Sequence, residues 1–158
     1  MLLPTTVLRE EDQLRLQTTV DALVRSANAK VVFLVDKAGQ LIAASGTDSS
    51  LDTTSLASLT AGNIAATGGI AKLLRENEFA TQYHEGKDAH VHIQVVQNRV
   101  ILVVIFDAKS SLGLVRLRVR KTSDELAMIF DEISRRPPPG HEGSPFAELT
   151  DQDIDNIF

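Results

Sequence analysis

Apolar positions along the chain switch between two periods, and each switch marks an element. Leu16, Val20, Leu23, Val24 and Ala27 recur at helical spacing, which predicts a helix from about Arg9 to Ala27 that stops at Asn28. Lys30–Val35 is a short apolar run of mostly β-branched residues, and Gln40–Ser45 follows it across the turn Asp36-Lys37-Ala38-Gly39. Two strands and a glycine-ended turn predict a hairpin. Gly46–Ser50 reads as a loop, and a long helix follows from Leu51 or Asp52 to Glu76, capped by Asp52 or Thr53 and ended by Asn77. Phe79–Gly86 reads as a connection. Ala89–Val96 and Arg99–Phe106 read as strands joined at Gln97-Asn98. The second has no polar residue from Val100 to Phe106, the mark of a central strand covered on both faces. Leu112–Lys121 reads as a fifth strand, with Val115, Leu117 and Val119 alternating with Arg116, Arg118 and Arg120. A last helix is expected over Thr122–Ser134, with a Thr122/Glu125 capping box and the stripe Leu126, Ile129, Phe130, Ile133.

The predicted order is helix, two strands, helix, three strands, helix. Tight turns within each run favour an α/β (α+β sandwich) fold with a mainly antiparallel sheet covered by helices. Pro137-Pro138-Pro139-Gly140 breaks the last helix. The expected organisation is therefore a domain over 1–136, a Pro/Gly linker over 137–143 and an acidic tail over 144–158.

The long helix presents two different faces. At about 100° per residue, Leu56, Leu59, Asn63, Ala66, Ile70 and Leu74 share one side, expected to sit on the sheet. The other side holds Thr54, Ser58, Ala61, Ala65, Gly68, Gly69 and Lys72, nearly all small. A helix interior loses roughly 1 kcal/mol for each glycine in place of alanine. Small side chains let a second backbone approach, so this face is read as a contact for a symmetry mate, another protein, or both. The alternatives are a helix loosened by glycine and a face buried under its own chain.

The tail repeats the theme on a smaller scale. Thr150 is a good N-cap, Asp151 and Asp153 sit in the first turn, and Leu149 and Ile154 are placed for a hydrophobic staple. Phe146, Leu149, Ile154, Ile157 and Phe158 supply an apolar set on a helix too short to hold alone. Such a segment is suited to folding on a partner. It could equally dock on its own domain or stay a solvated acidic tail.

Charge and composition narrow the function. The formal charge is −5, and all of it lies beyond residue 136, on Glu142, Glu148, Asp151, Asp153 and Asp155. A neutral body offers nucleic acid no electrostatic footprint. There is no cysteine, which excludes disulfides, thiolate metal sites and a cysteine nucleophile. The chain starts without a basic or apolar leader. The uncharged run Thr53–Ala71 is too rich in Thr, Ser, Gly and Asn for a membrane span.

Catalytic candidates are few. His90 and His92 lie two apart on a strand and share a face, a spacing usable by a metal, with Asp88 and His84 nearby but no evident third ligand. Gly68-Gly69 lies inside a helix, so it is no phosphate cradle. Asp36 and Asp107 follow strands and read as turn residues. Arg75 and Arg99 are conceivable fingers for a GTPase, though neither sits in a loop built for insertion. The residues point to a protein that binds other proteins, with no catalytic, cofactor or metal site of its own.

Several segments together resemble the bacterial Roadblock/dynein-light-chain family of the myxobacterial type. Ala27 to Lys37, with Gly39, Gln40, Leu41 and Ile42, resembles its first hairpin. Asp52 to Asn63, Gly68-Gly69, Asn77-Glu78-Phe79 and His84-Glu85-Gly86 resemble its central helix and the loop after it. Val103 to Asp107 and Ser111 to Arg118 resemble its last strands, and Gly143 to Glu148 and Asp153 to Asn156 its tail. The first 25 or so residues depart from it. The resemblance implies a five-stranded antiparallel sheet with one helix on one face and two on the other. It implies a cytoplasmic homodimer joined by sheet edges and central helices. The implied partner is the small Ras-like GTPase MglA in its GTP state, two copies of the chain per GTPase, with GTP and Mg held by the GTPase. The implied activity is stimulation of GTP hydrolysis without an arginine finger, by moving the GTPase's own catalytic residues, in the polarity of gliding cells at the lagging pole. A non-activating scaffold for polarity proteins is the alternative. Carried onto this chain, Ala61, Ala65, Gly68, Gly69 and Lys72 become the GTPase and dimer contact, and the tail residues a second contact.

Overall fold

The computed structural model describes residues 8–46 and 50–137. Helix α1 spans Glu10–Ser26, strands β1 and β2 Val31–Asp36 and Leu41–Gly46, and helix α2 Thr53–Leu73. Strands β3, β4 and β5 span Thr81–Glu85, His90–Val96 and Val100–Phe106, and helix α3 Leu112–Arg135. The five strands form one antiparallel sheet in the order β2-β1-β5-β4-β3.

The alternation of side chains along the central strands builds two cores. Val32 and Leu34 of β1 and Val100, Leu102, Val104 and Phe106 of β5 point to the side covered by α1 and α3. Val31, Phe33, Val35, Ile101, Val103 and Ile105 point to the side covered by α2. The uninterrupted apolar run of β5 is thus needed on both faces, and all seven of its residues are buried.

The turns obey local chemistry. Asp36 Oδ1 accepts from the amides of Ala38 and Gln40, both at 2.9 Å, and Gly39 takes the left-handed conformation that closes the β1–β2 turn. A Cβ on Gly46 would lie 2.3 Å from the Lys30 carbonyl, so only glycine fits where β2 ends. Gln97 and Asn98 are both left-handed at the β4–β5 turn, and Arg99 N–H donates to Val96 O at 3.0 Å.

The structure corrects the sequence reading at four places. Leu112–Lys121 is helix, not a fifth strand, and it runs without a break into the expected last helix to make α3. Val115 and Val119 are four apart, a spacing that satisfies both periods. Leu117, which a strand would bury beside them, is 60% exposed. The buried series Val115, Val119, Thr122, Leu126, Ile129, Ile133 continues at helical spacing. The cap is Ser111, whose Oγ accepts from Leu114 N–H at 3.2 Å, so Thr122 and Glu125 form no capping box. The fifth strand is instead β3, inside the expected connection Phe79–Gly86. Its residues Thr81–Glu85 carry no apolar alternation, and pairing with β4 defines the strand. The other two concern the end and the rotation of α2, described with the site.

A buried ion pair fastens α1 to the end of α3. Asp12 is buried, accepts from Arg9 N–H at 2.8 Å, and takes a charged hydrogen bond from Arg136. Burial by itself raises the carboxyl's pKa; the Arg136 hydrogen bond and the Arg9 amide outweigh it and hold the group below its ordinary value. The linker beyond Pro137 and the acidic tail lie outside the described residues.

Candidate partner-binding face

Helix α2 is held at its ends by polar chemistry. Asp52 Oδ1 accepts from Ser55 N–H at 3.0 Å, and Ser55 Oγ donates to Asp52 Oδ2 at 2.6 Å. Those bonds from Ser55 lower the Asp52 pKa. The C-terminal end is a Schellman turn: Glu76 N–H donates to Ala71 O at 2.8 Å and Arg75 N–H to Lys72 O at 3.0 Å. Arg75 occupies the left-handed position, φ 64°, so the helix stops at Leu73, short of the expected end at Glu76.

Between its ends α2 buries only Ala57, Thr60 and Ala71, with Leu56 and Ile64 partly covered. The side expected on the sheet is not there. Leu59, Ile70 and Leu74 are 71%, 54% and 63% exposed, and Ala66 is exposed. The helix is rotated so that Ala57, Thr60 and Ala71 meet the sheet, with Leu56 and Ile64 packed at the edges of the contact. The large apolar stripe consequently flanks the contact. Gln82 of the edge strand β3 fixes this orientation: Asn63 Nδ2 donates to Gln82 Oε1 and Gln82 Nε2 to Thr67 Oγ1, both at 2.9 Å. Leu59, Ala66 and Ile70 therefore project on the β3 side of the helix.

The small-residue face occupies the other flank. Thr54, Ser58, Ala65, Gly69 and Lys72 are exposed, and Ala61 and Gly68 are half-buried. Gly39 of the β1–β2 turn lies against Ser58 and Ala61. Ala61, Ile64, Ala65, Gly68, Gly69 and Lys72 line a groove of about 450 Å³, closed at its far side by Lys37, Asn77, Glu78 and Asn98. Lys37 is held there by Glu78 at 3.7 Å and by Asn98 Oδ1. A Cβ at Gly62, Gly68 or Gly69 would meet nothing within 4 Å. The fold itself does not require those glycines.

Lys37, Glu78 and Asn98 were not singled out from the sequence. Lys37 and Asn98 lie in two turns at the same end of the sheet, and only strand order brings them to α2. The tail residues Phe146, Leu149, Ile154, Ile157 and Phe158 lie outside the described residues.

The remaining candidates separate. His92 is 1% exposed beneath α3, whereas His90 packs against Phe106 and Tyr83 with ring centroids 5.3 and 6.2 Å away. Among the described residues no three His, Cys, Asp or Glu side chains are placed to hold a metal ion. Asp107 Oδ1 accepts from Lys109 N–H at 2.9 Å, a turn bond like that of Asp36. Arg99 donates to Phe130 O at 3.2 Å and so ties β5 to α3, while Arg75 is exposed at the end of α2. Among the described residues no helix is long and apolar enough to cross a membrane.

Comparison with known proteins places this architecture. The Roadblock/LC7 domain pattern matches residues 15–106. No curated protein matches at a significant level. Among solved structures, Myxococcus xanthus MglB is 55% identical over 82% of this chain and 98% of its own, with a TM-score of 0.78. The gliding protein MglB of Thermus thermophilus is 30% identical over 83% and 99%, with a TM-score of 0.76. A structure described as MglB with tetrameric arrangement is 28% identical over 84% and 99%, with a TM-score of 0.77. The chain belongs to the Roadblock/LC7 family and is a Roadblock protein of the MglB type.

Proposed function

We propose that this protein stimulates GTP hydrolysis by a small Ras-like GTPase, MglA, and does so as a homodimer with two copies per GTPase. The observation that carries the reading is the open flank of α2, where two consecutive glycines sit inside a continuous helix that gains nothing from them internally. Their use is to let a partner's backbone come near. Lys72 and Lys37 at the rim suit an acidic or phosphate-bearing neighbour in the GTP state. Catalysis of this kind is positioning: the partner's own groups are moved into line with the attacking water, and no residue of this chain joins the reaction. Arg99, bonded to α3, and Arg75, fixed in a helix cap, are therefore not fingers in this scheme.

Self-association uses the opposite flank. The exposed Leu59, Ala66 and Ile70 lie beside β3, an edge strand with one side unpaired. Joining two β3 edges would bring two such stripes together and cover them. The tail residues Phe146, Leu149, Ile154, Ile157 and Phe158 form a second contact with the GTPase. In a gliding cell this activity belongs in the cytoplasm at the lagging pole, where it keeps the GTPase inactive.

A GTP-turnover assay with the cognate GTPase is the test. Ala65→Arg and Gly69→Arg should each abolish stimulation while circular dichroism and melting stay unchanged; normal stimulation by both would remove the assigned face. Arg75→Ala should stimulate like the parent protein. Removal of residues after Arg136 should alter affinity, hydrolysis or exchange. A parent protein that binds the GTP-loaded GTPase without accelerating turnover would be a scaffold.

A further inference from the structure

On the face of the sheet opposite α2, a half-open pocket of about 470 Å³ lies between the first half of α3 and strands β3 and β4. Arg116 and Arg120 stand one helical turn apart on its wall, with Ser123 behind them and His92 as its floor. Thr81 and Gln94 form the opposite wall, hydrogen-bonded to each other at 2.8 Å, and Asp124 stands at the rim. Three features of this cluster are unsettled as it stands. Like charges at i and i+4 repel. Among the described residues neither arginine has an ion-pair or hydrogen-bond partner. His92 Nδ1 and Ser123 Oγ are buried and also lack partners, in a region where polar atoms are normally satisfied.

One kind of ligand answers the first two. We propose that this pocket binds a small phosphate-bearing molecule, its phosphoryl oxygens held by the exposed Arg116 and Arg120. A guanidinium fork matches a phosphoryl group with two parallel hydrogen bonds, and two forks supply the donors such a group needs. The pocket is wider than one phosphate. Asp124 and Gln94 at the rim accept hydrogen bonds, so the organic body of the ligand carries hydroxyl or amino groups at that end. The site is on the far side of the sheet from the α2 groove, so its occupancy is separable from GTPase contact.

The test is a titration of the full-length protein with inorganic pyrophosphate, followed by amide chemical shifts. Saturable changes are expected at Arg116, Arg120, Ser123 and Gln94. Arg116→Gln combined with Arg120→Gln should weaken binding at least about tenfold, equivalent to ~1.4 kcal/mol, and leave the melting temperature in place. Arg120→Lys, which keeps the charge and loses the fork, should weaken binding by a smaller factor. No saturable change, or an equal response in the double variant, overturns the proposal. The full-length chain with Asp151, Asp153 and Asp155 changed to Asn is the second arm. Shifts at the same residues on that change, without any response to pyrophosphate, would assign the arginines to the chain's own carboxylates and overturn it as well.

Discussion

The two long helices lie on opposite faces of one sheet and are packed by opposite rules. Over 24 residues α3 buries Val115, Val119, Leu126, Ile129, Phe130 and Ile133 against α1 and the strands. Over 21 residues α2 buries two alanines and a threonine. Apolar burial stabilises at roughly 25 cal/mol per Å², so the α3 face carries most of the hydrophobic free energy. Helix α2 is stabilised within itself by its cap and its Schellman end, and it is held to the sheet by Ala57, Leu56 and Ile64 and by the Gln82 bridge. A helix held to the sheet by so few side chains leaves most of the others exposed. That difference makes one face a foundation and leaves the other open.

The largest way to break this comparison is through the core. Phe130→Ala should cost about 3–5 kcal/mol by removing a large side chain from a packed site. Urea unfolding measures it, and a loss below that of an α2 surface variant would reverse the assignment. Next comes the lock between α1 and α3. Asp12→Asn should cost about 1–3 kcal/mol, since a charged hydrogen bond is lost where its partners are partly buried. Its contribution has a defined pH window. The folded Asp12 carboxyl is depressed, so its stabilisation is present above the ordinary 3.8 and disappears as pH falls through the folded value. His92 acts earlier. Burial first, and the charge of Arg116 second, depress its folded pKa, so stability declines once pH drops below the ordinary 6.5, where the unfolded imidazole protonates. Chemical denaturation between pH 7 and 3 should therefore show an early decline in the parent protein, and a further one absent from Asp12→Asn.

Much of the first comparison was legible in the sequence, for a physical reason. Strong period-2 and period-3.6 runs reflect burial on one or two faces, and β1, β5 and α1 carry them plainly. The second half of α3 shows its stripe as well. Its first half does not, because Val115 and Val119 fit either period and Gly113 near the start disguises the turn. Strand β3 was illegible because an edge strand is stabilised by a neighbour's backbone, which leaves no mark on its own side chains. The small face of α2 was legible as a departure from the charged face expected of a solvated helix. The direction α2 turns was not. Pattern analysis assumes that the largest apolar residues face the core, and here Ala57, Thr60 and Ala71 take that place while Leu59 and Ile70 stay exposed.

The glycines sharpen the contrast between the helices. Gly68→Ala and Gly69→Ala should each raise the stability of the isolated chain by up to ~1 kcal/mol, since neither new methyl meets any atom. GTPase stimulation should fall in the same variants. A stabilised protein with undiminished stimulation would mean that the glycines serve neither the fold nor the partner.

The smallest expected effect on stability is at the apolar stripe, and it separates folding from assembly most cleanly. Ile70 is 54% exposed, so Ile70→Ser removes little buried surface from the single chain and should change its unfolding free energy by less than ~0.5 kcal/mol. If two stripes meet across joined β3 edges, each dimer loses two buried isoleucines at once, and full burial of such a side chain contributes about 1.5–3 kcal/mol. Sedimentation over a dilution series should then show Ile70→Ser, and Leu59→Ser beside it, dissociating at concentrations where the parent protein stays paired. An Ala61→Ser control on the other flank should not shift that equilibrium. Dissociation by the control alone would place the dimer contact on the small-residue flank and leave the apolar stripe for the GTPase.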